Sequence, residues 1–592
     1  MNDFIFGTLA TAEQRLALTR ARLAGVTHVQ RRTPRDPLPG QAITLELTAG
    51  PEQPGDFAWV YWTSDGSDPD GARGQASHGQ VTRMEWVGET WEMLLWGYVR
   101  HYRVTLPGLP DGSLLRYRLS SGGVDGREVW ADQGAYYACC IADDPPPAWT
   151  RQAVIYQIFV DRFHPGSGNH WLRPQTPAGF YGGHIRGITE HLDHIAALGA
   201  NTLWLTPIFP SPSHHGYDAT DLFSVEPRLG TLEDLQELLD AAHRRGMRLL
   251  LDFVPNHWSN LHATFQDVIR DPNSQYRDWY LFKHWPDEYE TFFGVKELPQ
   301  VNLRHPEARQ SMLDAAAWWL KLGVDGYRVD YALGPTPDFW AEFRRVTRMV
   351  RQDCWTFGEV VEPSDAQLNF EGGLDGCLDF ILMEGLRRAF AFNQWTGRQL
   401  GEFLQRHADY FPASFSRPSF LDNHDMNRFL WAVQGDKQRL KLAALCQFTL
   451  SGPPIVYYGT EVGLSQERDV RQGEWGLPEE SRLPMLWSEA QDQELLAFYQ
   501  GLTALRRTYP QLGEAGMQVI WSDDAGLTYL RGAGEEAVCV CLNLSDRSHQ
   551  CYAPVQFSHL RVQLGQVERL DASEGSTPVR LEPLCGAVLT KN

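Results

Sequence analysis

An arginine and an aspartate stand two positions apart, after an apolar run, in the stretch GYRVDYALG, residues 326–334. If this run is a strand, Arg328 and Asp330 lie on the same face, because side chains alternate along a strand. A structural ion pair is the simplest interpretation of two such residues. A nearby positive charge also lowers the pKa of a carboxyl group, however, and an aspartate kept ionised in a cleft can act as a nucleophile. The rest of the chain must decide between the two.

Polar residues follow three further strand-like runs at the point where each run ends. They are Asp252, Asn256 and His257 in DFVPNH, Glu359 in TFGEV, and His424 and Asp425 in DNHD. Any one of these motifs alone is a weak signal. In an α/β barrel, however, catalytic groups lie at the carboxyl ends of several different strands. Four such ends in one chain therefore predict a single site.

Three carboxylates in one site suit the hydrolysis of a glycosidic bond, in which one carboxylate is the nucleophile and a second is the acid and base. Asp330, beside Arg328, is the better nucleophile. Glu359 follows the apolar run CWTFG and lies among other carboxylates, and both influences raise a carboxyl pKa, as a proton donor requires. Asp425 is then a third group, able to bind sugar hydroxyls and to help hold Glu359 protonated.

Strand-like runs alternate with helical stretches through the middle of the chain, which predicts a central (β/α)8 TIM barrel. The segment from Val254 to about Pro306 is too long for an ordinary loop, so we expect a small insertion after strand 3. The eight runs are AVIYQIFV, NTLWLTPIF, RLLLDFVP, GVDGYRVD, CWTFGEV, GCLDFIL, PSFLDNHD and PPIVYYG.

Short alternating strands separated by turns lie on both sides of this barrel, and the proline-rich stretch DDPPPAW is expected to be a linker. We therefore predict a multidomain protein with an N-terminal β-sandwich and a C-terminal β domain. The expected boundaries are 1–28 for an N-terminal helical segment, 29–146 for the N-terminal sandwich, 147–508 for the barrel with its inserted domain at 255–306, and 509–592 for a C-terminal β-sandwich domain.

Composition argues against several classes of partner and location. The net charge of −21 disfavours nucleic acid and anionic membranes. No secretory signal and no apolar run long enough to span a membrane is evident. Nine cysteines, an odd number without a CxxC pair, do not indicate a disulfide framework. We expect a cytoplasmic protein.

The chain resembles the α-amylase family of glycoside hydrolases (family 13) over roughly residues 150–510. The stretches DFVPNH, GYRVD, GEV and DNHD match the four best-known short regions of that family in order. The resemblance implies that Asp330 is the nucleophile, Glu359 the general acid/base and Asp425 the transition-state stabiliser. The residues expected to bind substrate are Tyr217, which would stack on the sugar ring, together with Asp252, His257, Arg328 and His424.

Within the family, the sandwich before the barrel resembles the neopullulanase, cyclomaltodextrinase and maltogenic amylase group. Two stretches depart from that group: LPQVN at 298–302 stands in place of MPKLN, and YALG at 331–334 in place of VANE. The resemblance implies retaining hydrolysis of mainly α-1,4 bonds in short or cyclic α-glucans, and it leaves a homodimer open.

Two other functions stay open at this point. One is transglycosylation of the trehalose synthase or glucanotransferase type, which uses the same three carboxylates and would be decided by acceptor-site residues such as EVVEPSD, 359–365. The other is a non-catalytic barrel, which the presence of both Asp330 and Glu359 disfavours. Two aromatic runs, FAWVYW at 57–62 and WVGETWEMLLW at 86–96, are expected to pack in a core, with a sugar-binding surface as the alternative.

No metal cofactor is expected to be essential. His191 and His194 have no carboxylate or cysteine spaced to complete a zinc site. Calcium takes oxygen ligands, but the loop HPGSGNHWL contains no aspartate, and His184 and Gly334 stand where calcium-binding relatives often carry a ligand. Asn256 is the main residue that argues for calcium.

Overall fold

A computed structural model describes residues 12–362, 364–472, 476–514, 516–557, 560–570 and 576–591. The first part of the predicted N-terminal helical segment, residues 1–11, lies outside the described residues, as does Pro363 within the EVVEPSD stretch. The described N-terminal residues begin with a helix at Ala12–Ala24.

The centre of the fold is a curled sheet of seven parallel strands. The first strand pairs with the second and also, through Ile155 and Ile455, with the last, so the sixth strand and the last form the two edges of the sheet. This arrangement agrees with the predicted (β/α)8 barrel. The strands are Ile155–Ile158, Thr202–Leu205, Arg248–Phe253, Gly326–Val329, Trp355–Gly358, Gly376–Cys377 and Ile455–Tyr457.

The predicted seventh strand, in PSFLDNHD, is replaced by two isolated parallel bridges. Gly376 pairs with Ser416, and Ser419 pairs with Pro454, so this segment fills the gap between the sixth strand and the last. Proline has no N–H to donate to a ladder, and Pro418, Pro453 and Pro454 all lie at this seam. The prediction of a regular strand here is therefore wrong, although the segment occupies the expected position.

Helices connect the barrel strands and bury apolar stripes against them. The helix Leu232–Arg244 illustrates why they form: Thr231 and Asp234 make a capping box at its start, and Leu235, Leu238 and Leu239 are buried at helical spacing. The main helices are Ile185–Glu190, Leu192–Leu198, Leu232–Arg244, Pro306–Leu322, Pro337–Val350, Ser364–Leu368, Phe380–Leu386, Gly397–Tyr410, Phe429–Ala432, Lys437–Thr449 and Gln493–Thr508.

The chain leaves the barrel between the third and fourth strands. This excursion contains the helix Ala263–Arg270 and a two-stranded sheet of Phe282–His284 with Glu288–Tyr289. Bridges between His257 and Gln300 and between Tyr280 and Val301 hold its two ends together.

Antiparallel sheets lie on both sides of the barrel, as predicted; their classification as sandwich domains and the exact boundaries remain predictions. Two five-stranded sheets before the barrel share one apolar core, and a five-stranded and a three-stranded sheet follow it. The longer strands are Ile43–Ala49, Phe57–Thr63, Glu85–Glu92, Gly97–Leu106 and Leu114–Gly122 before the barrel, and Met517–Ser522, Gly526–Arg531, Val538–Asn543, His549–Pro554, Leu560–Leu564, Ser576–Leu581 and Gly586–Lys591 after it.

A buried ion network joins the N-terminal sheets to the barrel helix that follows the fourth strand. Arg116 contacts Asp338 at 2.5 Å and Glu342 at 2.8 Å, and Arg309 contacts the same two carboxylates at 2.7 and 2.8 Å. The helix Pro337–Val350, which follows the fourth strand, is thereby anchored from both sides.

All nine cysteines lie in the described ranges, and none of them is paired in a disulfide. Within those ranges, no helix is both long and apolar enough to cross a membrane.

Candidate active site

The polar residues predicted from four strand ends come together at the carboxyl end of the barrel. Parallel pairing puts Asp252 of the third strand directly beside Arg328 of the fourth, and Arg328 beside Phe357 of the fifth. Asp330 and Glu359 each follow directly on the end of their strand. Because register partners on neighbouring strands point the same way, the register alone brings Asp252 and Arg328 into contact.

Arg328 is the centre of this site. Its Nη1 donates to Asp252 Oδ1 at 2.7 Å and to Asp330 Oδ1 at 2.9 Å, and its Nη2 lies 3.0 Å from Glu359 Oε1. The guanidinium is fully buried and also lies over the ring of Trp204. One positive charge is therefore shared by three carboxylates, and this sharing controls how many of them can be ionised together.

The pKa of Asp330 does not follow the prediction made from Arg328 alone. Burial raises the pKa of Asp330 to about 7; Arg328 opposes this rise, while the charges of Asp252 and Asp425 add to it. The sequence argument had the direction of the Arg328 effect right but the net direction wrong, because Arg328 is shared and the site is out of water.

Glu359 has the higher pKa of the Asp330–Glu359 pair. Burial raises it to about 8, and Asp330 and Asp425 push in the same direction, against Arg328. The two carboxyl groups interact and titrate together, and Glu359 loses its proton after Asp330. The sequence argument predicted this direction for Glu359, and the structure agrees.

Asp425 is held by its own arginine. Arg482 Nη2 donates to Asp425 Oδ1 at 2.8 Å, and Arg482 Nε donates to the backbone oxygen of His424 at 2.8 Å. Burial by itself would raise the pKa of Asp425, but the positive charges of Arg482 and Arg328 help to lower it below its ordinary value. Asp425 is thus the carboxylate of the site that stays ionised most readily.

A chain of hydrogen bonds orients the side chain of His424. Tyr217 Oη donates to Asp252 Oδ2 at 2.8 Å, so its oxygen accepts from His424 Nε2 at 2.6 Å. His424 Nδ1 then accepts from Gln157 Nε2 at 2.8 Å. Burial lowers the pKa of His424 to about 3, so the imidazole is neutral and its Nε2–H is a donor at the edge of the site.

His257 lies beside this group rather than within it. Its Nδ1 is 3.1 Å from Asn256 Nδ2, and its ring packs on Phe292 with 4.6 Å between centroids. Burial lowers the pKa of His257 to about 3, so it too is neutral. The structure therefore links seven of the eight predicted site residues by direct hydrogen bonds or ion pairs and leaves His257 adjacent to them.

Three residues of the site were missed from the sequence. Trp204 Nε1 donates to Asp252 Oδ2 at 3.2 Å, while Gln157 and Arg482 support His424 and Asp425. Gln157 and Trp204 are register partners inside apolar strands and resemble core residues in the sequence. The signal for Gln157 was a lone amide in the run AVIYQIFV. Arg482 lies far beyond the last strand, where the strand-end rule does not apply.

Metal ligands do not gather in the described ranges: no group of three or more His, Cys, Asp or Glu side chains there is arranged to hold an ion. His191 and His194 instead pack against Trp487, at 4.2 and 5.3 Å between centroids. Beside Asn256, a Cβ added at Gly334 would lie 1.9 Å from Asn256 Oδ1. Asn256 Oδ1, on the main residue that argued for calcium, is buried and has no hydrogen-bond partner among the described residues.

Comparison with known proteins gives concordant matches. Residues 157–501 match the family described as alpha amylase, catalytic domain. The chain is 39% identical over 403 residues to Alpha-amylase 2 of Dictyoglomus thermophilum, covering 68% of this chain and 71% of that protein.

Two solved structures extend these matches. The first is a cyclic α-maltosyl-(1→6)-maltose hydrolase from Arthrobacter globiformis in complex with that sugar, with 30% identity, a TM-score of 0.67 and coverage of 75% of this chain and 99% of that chain. The second is a cyclomaltodextrinase, with 25% identity, a TM-score of 0.70 and coverage of 96% and 100%. The second match includes the sheets on both sides of the barrel.

Proposed function

The chain belongs to the α-amylase family of glycoside hydrolases, and from that premise we propose that it hydrolyses α-glucosidic bonds, mainly α-1,4, with retention of configuration. The proposed substrates are malto-oligosaccharides, cyclodextrins and related short α-glucans. The names of the relatives support this choice, since those relatives include a cyclomaltodextrinase and a hydrolase of a cyclic maltosyl-maltose.

The observation that carries the proposal is the sharing of Arg328 by Asp330 and Glu359, which contact different terminal nitrogens of one guanidinium at 2.9 and 3.0 Å. A retaining enzyme needs its two carboxyl groups about 5–5.5 Å apart, on either side of the bond that breaks. Contact with the same guanidinium holds the two carboxyl groups near each other in fixed positions, which supports the proposal.

In the first step, a carboxylate oxygen of Asp330 attacks the anomeric carbon while Glu359 gives its proton to the glycosidic oxygen. The carbon–oxygen bond to the leaving sugar breaks, and a glycosyl ester forms on Asp330. The higher pKa of Glu359 keeps the proton on the donor, and Arg328 stabilises the charge on the nucleophile.

In the second step, ionised Glu359 takes a proton from water, and the water oxygen attacks the same carbon. The ester bond breaks, which restores the Asp330 carboxylate and leaves the proton on Glu359. Asp425, kept ionised by Arg482, is proposed to bind sugar hydroxyls and to stabilise the positive charge that develops on the ring. The Nε2–H of His424 and the ring of Tyr217 are proposed to line the sugar pocket.

The test is proton NMR of fresh products from maltotriose and a cyclodextrin, with pullulan and sucrose as further substrates. We expect the α-anomer to appear first, followed by slow mutarotation. Initial release of the β-anomer would contradict retention. Products longer than the substrate, or a disaccharide isomer in place of glucose and maltose, would instead identify the transglycosylase alternative.

A further inference from the structure

The two stretches that depart from the neopullulanase-like group meet in the fold beside Glu359. YALG, 331–334, directly follows the proposed nucleophile, and LPQVN, 298–302, lies at the end of the excursion after the third strand. Just before LPQVN, a turn at 292–295 places two aromatic rings against Tyr331. The two departures therefore belong to one structure, and Tyr331 is the residue that connects it to the active site.

Tyr331 has a strained backbone. Its φ of +39° lies in the left-handed region, which a bulky side chain adopts rarely and only where the surrounding structure enforces it. A residue in this region can turn successive N–H groups toward one side of the chain. The N–H of Tyr331 donates to Glu359 Oε2 at 3.2 Å, and the N–H of Ala332 donates to the backbone oxygen of Glu359 at 3.1 Å. Both N–H groups therefore hold the same residue, the proposed proton donor.

The carboxyl group of Glu359 is contacted at both of its oxygens. Tyr331 N–H holds Oε2, and Arg328 Nη2 lies 3.0 Å from Oε1. The charged groups that act on Glu359 are Arg328, Asp330 and Asp425. Because Arg328 divides its charge among three carboxylates, the N–H of Tyr331 adds a contact that is directed at Glu359.

Two phenylalanine rings of the excursion hold Tyr331 in this conformation. The centroid of the Tyr331 ring lies 5.0 Å from that of Phe292 and 5.3 Å from that of Phe293, and edge-on contacts of this kind stabilise aromatic pairs. The turn that carries the two rings is closed by backbone bonds from Phe292 N to Leu298 O at 3.0 Å and from Val295 N to Phe292 O at 2.9 Å. The first residue of LPQVN thus supports the turn, and the turn supports Tyr331.

We propose that Tyr331 is a positioning residue that aims the carboxyl group of Glu359 at the glycosidic oxygen, and that Phe292 and Phe293 hold Tyr331 in place. This inference rests on the proposed function, since it concerns the proton donor of that reaction. Tyr331 contributes its ring and its backbone N–H, and its hydroxyl group takes no part. The N–H holds Oε2 while Glu359 gives its proton to the leaving sugar, and it then stabilises the carboxylate that remains.

Two substrates with the same kind of glycosyl group separate this role from a general structural one. Maltotriose needs a proton on its leaving sugar, whereas the fluoride ion of α-maltosyl fluoride leaves without one. In the proposed mechanism both substrates are attacked by Asp330, and kcat/KM covers the steps up to formation of the glycosyl ester. A misplaced Glu359 should therefore slow the reaction of maltotriose and spare that of the fluoride.

Three substitutions of Tyr331 test its ring and its backbone separately. Tyr331→Val removes the ring and disfavours the left-handed backbone, so kcat/KM should fall at least about tenfold for maltotriose and by less than about threefold for α-maltosyl fluoride. Tyr331→Phe keeps the ring and should retain most of the activity toward maltotriose. Tyr331→Gly accepts a positive φ without strain, so it should be more active than Tyr331→Val although its side chain is smaller.

The turn provides a matched pair of variants that leaves Tyr331 itself unchanged. Phe293→Ala removes one supporting ring and should lower kcat/KM for maltotriose at least about threefold, again with little effect on the fluoride. The control is Val295→Ala, which removes an apolar side chain from the same turn without removing a ring and should stay within about twofold of the parent. Both side chains are partly exposed, at 58% and 37%, so the fold should tolerate either change.

The pH profile gives a further readout that a purely structural role would not change. A hydrogen bond to the ionised form of a carboxyl group lowers its pKa. Loss of the Tyr331 contact should therefore raise the pKa of Glu359, and the alkaline limb of kcat/KM for maltotriose should move to higher pH in Tyr331→Val. The limb should stay in place in Val295→Ala.

Several results would overturn the proposal. They are equal losses with maltotriose and α-maltosyl fluoride in Tyr331→Val with normal circular dichroism, a Tyr331→Gly variant no more active than Tyr331→Val, or an alkaline limb that does not move. Phe293→Ala carries the same comparison of substrates if Tyr331→Val does not fold. A parent that cleaves neither substrate would refute the proposed function and this inference together, whereas a parent that cleaves both, with no loss in Tyr331→Val, would refute this inference alone.

Discussion

Replacement of Arg482 by methionine tests how the site keeps Asp425 ionised. Arg482 is almost completely buried and donates to Asp425 Oδ1 and to the backbone oxygen of His424, both at 2.8 Å, and more weakly to Glu479 Oε1 at 3.4 Å. The methionine side chain fills similar volume and makes none of these bonds. It leaves Asp425 buried without its principal cation, next to a site that already shares Arg328 among three carboxylates.

The expected loss follows from these contacts. A hydrogen bond between charged groups contributes about 1.5–3 kcal/mol, so kcat/KM should fall about 10- to 100-fold if Asp425 acts in the transition state. Loss of one partner of a buried pair also destabilises the fold by about 3–5 kcal/mol. Removing a positive charge raises the pKa of the carboxylate cluster, so the acid limb of kcat/KM against pH should move to higher pH.

The assay is kcat/KM for maltotriose from about pH 4 to 9, with thermal melts of each variant. Arg482→Lys keeps the charge but can replace only part of the hydrogen bonding, so it should lose rate while its acid limb stays near that of the parent. The matched control is Arg468→Met in the same loop, where the half-exposed Arg468 pairs with Glu480. A pair of this kind contributes at most about 1 kcal/mol, so activity should be nearly unchanged.

An unshifted acid limb in a folded Arg482→Met variant would refute the electrostatic role of Arg482. Activity within about threefold of the parent would refute the importance of the Asp425 contact altogether. If the acid limb of Arg482→Lys moves as far as that of Arg482→Met, hydrogen-bond geometry and not charge determines the pH of that limb.

Four other predictions follow from the same site. Asp330→Asn and Glu359→Gln should each lower kcat by at least about a thousandfold with normal circular dichroism; substantial residual activity would exclude that residue from its proposed role. The pKa values of Asp330 and Glu359 are raised to about 7 and 8 from ordinary values of 3.8 and 4.5, so the folded state holds the extra protons and stability should fall as pH rises through this window. In a variant that combines Asp330→Asn with Glu359→Gln, calorimetry should show a smaller loss of stability with rising pH. The same dependence of stability on pH as in the parent would contradict the raised pKa values. EDTA should leave activity and melting temperature almost unchanged, since no group of three or more His, Cys, Asp or Glu side chains in the described ranges is arranged to hold an ion; loss restored by calcium would show a metal site. The ratio of kcat/KM for a cyclodextrin to that for soluble starch, per cleavable chain, should exceed one, and equal or better use of starch would show an open cleft.

The strand-end residues of the site were predictable from the sequence because two periodicities determine them. Side chains alternate along a strand, and parallel strands end at one edge, so Arg328, Asp330, Glu359 and Asp425 could be assigned to one place without a structure. Sequence spacing also predicted the excursion after the third strand. These inferences depend on local pattern alone.

Other features depend on contacts that a sequence does not encode locally. The pKa of Asp330 depends on how many carboxylates share Arg328 and on how much water reaches them. Arg482 lies in a long loop after the last strand, and its contact with Asp425 can be identified only from the folded structure. The irregular seventh position reflects prolines on two segments that meet only in three dimensions. Core packing was expected for both aromatic runs, but only FAWVYW is largely buried. In WVGETWEMLLW the side chains of Trp86, Trp91 and Trp96 are 61%, 44% and 74% exposed, so that expectation is wrong there.

Mass spectrometry of a trapped glycosyl–enzyme ester tests the central claim most directly. A 5-fluoro-α-glucosyl fluoride reacts in the first step, and the fluorine at C5 slows the second, so the intermediate accumulates. We predict that peptide mapping finds one glycosyl group per chain, on the peptide that contains Asp330, and that Asp330→Asn forms no adduct. An adduct on Glu359 or Asp425, or continued turnover of the reagent with no adduct at any residue, would contradict retaining catalysis by Asp330.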